Sequence, residues 1–144
     1  MHHKILILGA CGQIGTELTI ALREQHGVDN VVASDIRATD DAVMNAGPFE
    51  ILDATDLHAL EDVIMHYEIE TVYLMAAMLS GTAEKFPMKA WSLNMDTLFH
   101  VLNLAKDKKY QKYSGPLVLL SLGQIQPKKT PHSSVLWHPV AYME

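Results

Sequence analysis

An α/β fold, a parallel sheet with helices on both faces, is predicted for this 144-residue chain by three observations. Short apolar runs alternate with helix-length segments through the first 106 residues, the pattern of strand and crossover helix. The first run, Ile5-Leu6-Ile7-Leu8, leads directly into the glycine turn Gly9-Ala10-Cys11-Gly12-Gln13-Ile14-Gly15. About twenty residues later an acidic residue, Asp35, closes the second run.

The elements follow in order. Lys4 to Leu8 reads as the first strand, and Gln13 to His26 as a helix with Ile14, Leu18, Ala21 and Leu22 on one face, stopped by Gly27. Val31 to Ser34 is the second strand. Ala38 to Pro48 has no clear apolar period and contains Asp40-Asp41 and Gly47-Pro48, so a connection is expected there. Phe49 to Leu52 is a short third strand ending at Asp53, and Asp56 is placed to cap a helix to about Tyr67 with Leu57, Leu60, Val63 and Ile64 as its apolar stripe. Thr71 to Met75 is the fourth strand. A loop holding Ser80-Gly81-Thr82 and closing at Pro87 then leads to a long helix from about Met88 to Lys106, whose apolar residues include Trp91, Leu98, Val101, Leu102 and Ala105.

Length indicates one domain, and 49% hydrophobic residues suffice for a core. No apolar stretch approaches a membrane span, and the N-terminus enters the first strand without a signal peptide, so a soluble cytoplasmic protein is expected. The single cysteine excludes an internal disulfide, and the eight histidines show no metal-binding spacing. The net charge of −6 is unevenly spread, being −10 over residues 1–107 and +4 over residues 108–144, where four of the six prolines also lie. That end reads as poorly folded rather than as a surface for nucleic acid or membrane.

The glycine turn carries the chemistry. A strand ending in such a turn brings backbone N–H groups and the positive end of the next helix against a pyrophosphate, where side chains would block the approach. The candidate cofactor set therefore begins with Gly9, Ala10, Cys11, Gly12, Gln13, Ile14 and Gly15. Asp35 can accept hydrogen bonds from the adenosine ribose hydroxyls, and its charge repels the 2′-phosphate of NADP. Arg37 pulls the other way, because a guanidinium can pair with that phosphate. NAD is favoured, with Arg37 over the adenine or in solvent. Asp53 is placed either to reach the adenine amino group or to cap a turn. Met75, Ala76 and Ala77 put small residues near the nicotinamide ribose, and Ile36, Ala54 and Asn94 complete the set. Cys11 reads as filling a small space in the turn, not as a nucleophile. The fold expected is thus a Rossmann-type doubly wound parallel sheet, incomplete at its C-terminal side.

Several separate segments resemble one family. The GACGQIG turn, Ala33-Ser34-Asp35-Ile36-Arg37, Gly47-Pro48-Phe49-Glu50, Tyr73-Leu74-Met75-Ala76-Ala77, Ala83-Glu84-Lys85 and Ser92-Leu93-Asn94-Met95-Asp96 look like the short-chain-type L-threonine 3-dehydrogenases of the NAD-dependent epimerase/dehydratase superfamily. The likeness covers residues 3 to about 107, with Gly81 and Phe86 departing from it. It implies NAD as cofactor, threonine as substrate and oxidation of its 3-hydroxyl to 2-amino-3-ketobutyrate, with Ser80 helping to bind substrate. Pairing through long helices is common in the family, which leaves a homodimer open. Chemistry in the superfamily also needs a Tyr with a Lys four residues later and a Ser or Thr after the fifth strand. Tyr142 is the only tyrosine near the expected place, with no lysine following before Glu144, and the surroundings of Ser121 do not match. No catalytic residue is therefore assigned. The chain alone is expected to be inactive; the alternatives are a fragment of a nucleotide-sugar epimerase or dehydratase and a non-catalytic cofactor-binding remnant.

The sequence accordingly divides into a cofactor-binding portion, residues 1–108, and an atypical tail, residues 109–144, that reads as out of frame. Permitted codons for Lys112 to Gly123, started two bases later, give Ile-Phe-Trp-Pro-Ser-Ser-Ile-Ala-Val-Phe-Gly, the family's fifth strand and serine region. In that frame the serines fall where Leu117 and Val118 stand, and the tyrosine where Met143 stands. The apolar run Leu117 to Leu120 is the expected substitute for the fifth strand.

Overall fold

The structure, a computed structural model, describes residues 3–78, 80–107 and 112–114. Five parallel strands form one sheet: β1 (Ile5–Leu8), β2 (Val31–Asp35), β3 (Phe49–Ile51), β4 (Thr71–Leu74) and β5 (Lys112–Ser114), in the order β3-β2-β1-β4-β5. Strand order reverses at β1, which pairs with β2 on one side (Ile5 opposite Val31) and with β4 on the other (Ile5 opposite Thr71). A ligand crevice belongs at such a reversal, outside the C-terminal ends of the strands.

The doubly wound arrangement follows from strands buried on both faces. Every residue of β1 and β2 is buried. Successive side chains point to opposite faces, so Leu6 and Leu8 join one core with Val32, Leu60, Ile64, Val72 and Val101. Ile5 and Ile7 join the other with Val31, Ala33, Leu22 and Met44. The first core is closed by α3 (Leu57–His66) and α5 (Pro87–Lys106), the second by α1 (Gln13–His26) and α2 (Ala42–Asn45). Burying each of these Leu or Ile side chains stabilises the fold by about 1.5–3 kcal/mol. Asp56 caps α3 as its position predicts, accepting from the N–H groups of His58 (3.0 Å) and Ala59 (3.1 Å).

Some expectations are corrected. Ser80 to Lys85, expected as a loop, forms a short helix, α4, immediately before α5. The connection before β3 contains the single turn α2, capped by Asp41, whose side chain accepts from the Val43 N–H at 2.7 Å. The buried residues of α1 are Gly15, Thr19, Leu22 and Arg23; of the expected stripe, Leu22 is buried and Leu18 packs against the core, whereas Ala21 is exposed and Ile14 is 68% exposed. Polar residues can face the sheet there because their donors are satisfied. The Thr19 hydroxyl donates to the Gly15 carbonyl at 2.7 Å, and the Arg23 guanidinium donates to the carbonyls of Val31, Val43, Met44 and Pro48. On α5, Leu98 and Val101 are buried, whereas Trp91 is 66% exposed. Leu57, expected in the α3 stripe, is also exposed.

At the β4 edge, where Leu117 to Leu120 was expected, residues 112–114 pair with Thr71, Val72 and Tyr73. Leu117 to Leu120, Ser121 and Tyr142 lie outside the described residues. No helix among the described residues is long and apolar enough to cross a membrane.

Candidate functional site

The site grows from the turn after β1. Gly9 adopts φ +84°, a conformation that costs a glycine little and other residues more. Its N–H and that of Ala10 both donate to the Ser34 carbonyl, at 2.8 and 2.9 Å, tying the turn to β2. A Cβ at Gly9 would lie 2.5 Å from the Ala76 backbone nitrogen, and one at Gly15 would lie 2.2 Å from the Gly9 carbonyl oxygen. These two glycines let β1, β4 and α1 close on each other. Gly12 differs: a Cβ there would meet only the Gly9 carbonyl oxygen, at 3.4 Å, and otherwise open space.

Gly12 is the N-cap of α1, no side chain caps the helix, and its first turn contains no acid. The N–H groups at its positive end are therefore left to a ligand or water. Beside them lies a cleft of about 260 Å³ at the strand-order reversal. Gly9, Gly12, Asp35, Ile36, Arg37, Asp53, Ala54, Met75, Ala76 and Ala77, all among the candidate cofactor residues, line it.

Asp35 is nearly inaccessible and held from two sides. Its Oδ2 accepts from the Cys11 N–H at 3.1 Å, and its Oδ1 from the Arg37 N–H at 3.2 Å and Nε at 3.3 Å. Arg37 thus takes neither expected position alone: it is paired with Asp35 while its side chain stays 68% exposed. Asp53 closes a turn, accepting through Oδ1 from the Thr55 N–H (2.9 Å) and hydroxyl (2.7 Å). The Thr55 hydroxyl, then its N–H, hold the Asp53 carboxyl below its ordinary range against a smaller opposing effect of burial. Burial, then the Asp35 charge, push the Cys11 thiol up, which suits a space-filling residue better than a nucleophile.

Other predicted residues lie elsewhere. Ala10 is fully buried, and Gly15 is packed beneath the turn. Gln13 and Ile14 form the exposed first turn of α1. Asn94 is committed to the chain: its Oδ1 accepts from the Met78 N–H at 2.9 Å and its Nδ2 donates to the Met78 carbonyl at 3.3 Å. It positions the segment after β4 and is not among the cleft-lining residues. Ser80 is the first residue of α4. Leu8, Leu52, Thr55, Leu93 and Thr97 line the cleft without having been singled out. The strand-end position of Leu8 and Leu52, and the spacing of four between Leu93 and Thr97 on α5, are the signals that would have found them. Among the described residues no group of three or more metal-ligating side chains converges.

The arrangement fits a dinucleotide: a space a Cβ would fill at Gly12, free N–H donors at a helix start, and an anchored carboxylate at the rim. A model of the NAD dependent epimerase/dehydratase family matches residues 5–134. An epimerase/dehydratase of uncharacterized activity from Staphylococcus epidermidis is 45% identical over 135 residues, covering 92% of this chain. The chain spans 42% of that relative's length. An L-threonine dehydrogenase from Cupriavidus necator, solved in its holo form, is 46% identical with a TM-score of 0.72, over 76% of this chain and 35% of its own. A UDP-glucose 4-epimerase from Stenotrophomonas maltophila with bound NAD is 25% identical with a TM-score of 0.69, over 79% of this chain and 36% of its own.

Proposed function

Because this chain belongs to the NAD dependent epimerase/dehydratase family, we propose that it is the NAD-holding portion of an oxidoreductase of the L-threonine 3-dehydrogenase kind. The observation that carries the reading is the uncapped start of α1 at Gly12, facing a cleft whose rim holds Asp35. The N–H groups of the first turn of α1 would take the pyrophosphate. Asp35, fixed by Cys11 and Arg37, would accept from the adenosine ribose, and Asp53 and Ala54 would border the adenine. Met75, Ala76 and Ala77 would leave room for the nicotinamide ribose at the end of β4. When bound, NAD supplies the hydride acceptor for oxidation of an alcohol.

Threonine is favoured over a nucleotide sugar by the greater identity to the threonine dehydrogenase, 46% against 25%. Within the 144 residues no tyrosine is followed four positions later by a lysine, so this portion orients the cofactor and does not carry the proton-accepting pair. The test is NADH formation from NAD by the purified chain on adding threonine. No turnover above a Gly12→Trp control is expected, whereas turnover above it would overturn the assignment of a cofactor-holding, non-turning portion. Protection of bound NAD by UDP-glucose and not by threonine would favour the epimerase reading, since an epimerase returns the hydride and consumes no NAD net.

A further inference from the structure

One wall of the cleft continues past the end of its strand. Sheet pairing reaches Met75, whose N–H donates to the Leu8 carbonyl at 2.8 Å, and residues 75–78 run without helix or strand before α4 begins at Ser80. Met75, Ala76 and Ala77 nevertheless line the cleft, so this irregular stretch has to be held in place. Asn94 supplies the hold from α5. Its Oδ1 accepts from the Met78 N–H at 2.9 Å while its Nδ2 donates to the Met78 carbonyl at 3.3 Å, so one side chain serves both main-chain groups of one residue, as a neighbouring strand would. Leu93 and Thr97, on either side of Asn94 along α5, line the same cleft. Thr97 does not share the task, since its hydroxyl donates within the helix to the Leu93 carbonyl at 2.7 Å. The reach of the Asn94 amide therefore sets how far Met75 to Ala77 stand from Leu93 and Thr97. The adenosine end is fixed separately, by Gly9 and Ala10 on Ser34, Cys11 on Asp35 and Thr55 on Asp53.

Deepening the NAD reading above, on which it rests, we infer that Asn94 is a positioning residue whose two-bond clasp on Met78 sets the nicotinamide end of the cleft and leaves the adenosine end untouched. Without the clasp, the segment after β4 samples other positions, and apparent affinity falls by the fraction of chains still competent. Only a ligand that reaches that end feels the loss.

The experiment is calorimetric titration of the full chain with NAD and with ADP, which carries the adenosine and pyrophosphate but no nicotinamide riboside. Wild type binds NAD more tightly than ADP. Asn94→Leu, close in shape and without either hydrogen bond, weakens NAD binding about tenfold and leaves ADP binding within about twofold, the competent fraction falling to roughly a tenth. Thermal melts establish that the variant is folded. Hydrogen exchange in wild type is a second measurement and decides the matter if Asn94→Leu does not fold: NAD slows exchange of the Met78 amide and ADP does not. Equal loss of both ligands or unchanged NAD affinity in folded Asn94→Leu overturns the inference and leaves the cofactor reading standing. So does a wild-type chain that binds NAD no more tightly than ADP, or whose Met78 amide is indifferent to NAD. A folded wild-type chain binding neither NAD nor ADP overturns both.

Discussion

Replacing Gly12 and Gly15 by alanine, one at a time, should separate binding from stability. At Gly15 the new Cβ would lie 2.2 Å from the Gly9 carbonyl oxygen and 2.8 Å from the Ala10 Cα, both backbone atoms. Relief requires moving α1 off the turn, an overpacking that costs about 1–3 kcal/mol. Alanine's better helix propensity returns about 1 kcal/mol. The clash is with main chain, which puts the cost at the upper end and the net loss near ~2 kcal/mol. At Gly12 the backbone is φ −75°, ψ 165°, ordinary for alanine, and the nearest atom to the Cβ is at 3.4 Å. Only the N-cap preference is lost, less than about 1 kcal/mol. That Cβ nevertheless enters the cleft where a pyrophosphate would sit, so NAD affinity should fall at least tenfold, about 1.4 kcal/mol. Urea unfolding gives the stabilities and calorimetry the affinities. A Gly12→Ala variant with wild-type affinity, or a Gly15→Ala variant as stable as wild type, would refute the reasoning.

Three further outcomes are expected. Cys11 should react with iodoacetamide at pH 8 more slowly than free cysteine, because burial and the Asp35 charge raise its thiol pKa, and Asp35→Ser should speed the reaction. Asp53, held down by Thr55, should titrate below the ordinary carboxylate range by NMR and return toward it in Thr55→Val. Since its folded value lies below the unfolded one, its stabilising contribution is present above the unfolded pKa and lost as pH falls through the folded value. Sequencing the DNA that encodes residues 109–144 should reveal the serine region and the tyrosine approach in a frame two bases on; stops or unrelated residues there would contradict the reading of that tail.

What was legible in the sequence was mostly backbone. Glycine at 9, 12 and 15, after a buried strand, admits few arrangements of strand, turn and helix, and Asp35 and Asp56 declare themselves as strand-end and cap by position. Side-chain partners were less legible. Arg23, which the sequence pattern does not single out, is 6% exposed and held by main-chain carbonyls, an environment that composition does not signal. Arg37 lines the cleft and Asn94 does not, and the partners of both, Asp35 and Met78, depend on how segments meet in space. α4 was missed because Ser80-Gly81-Thr82 are poor helix formers and nothing in their spacing opposes a loop.

The claim on which the account rests is that the start of α1 receives a dinucleotide, and the direct measurement is calorimetric titration of the full chain with NAD. Saturable one-to-one binding that disappears in a folded Gly12→Trp variant is predicted. Absence of binding by a folded wild-type chain, or binding unchanged by Gly12→Trp, would contradict it.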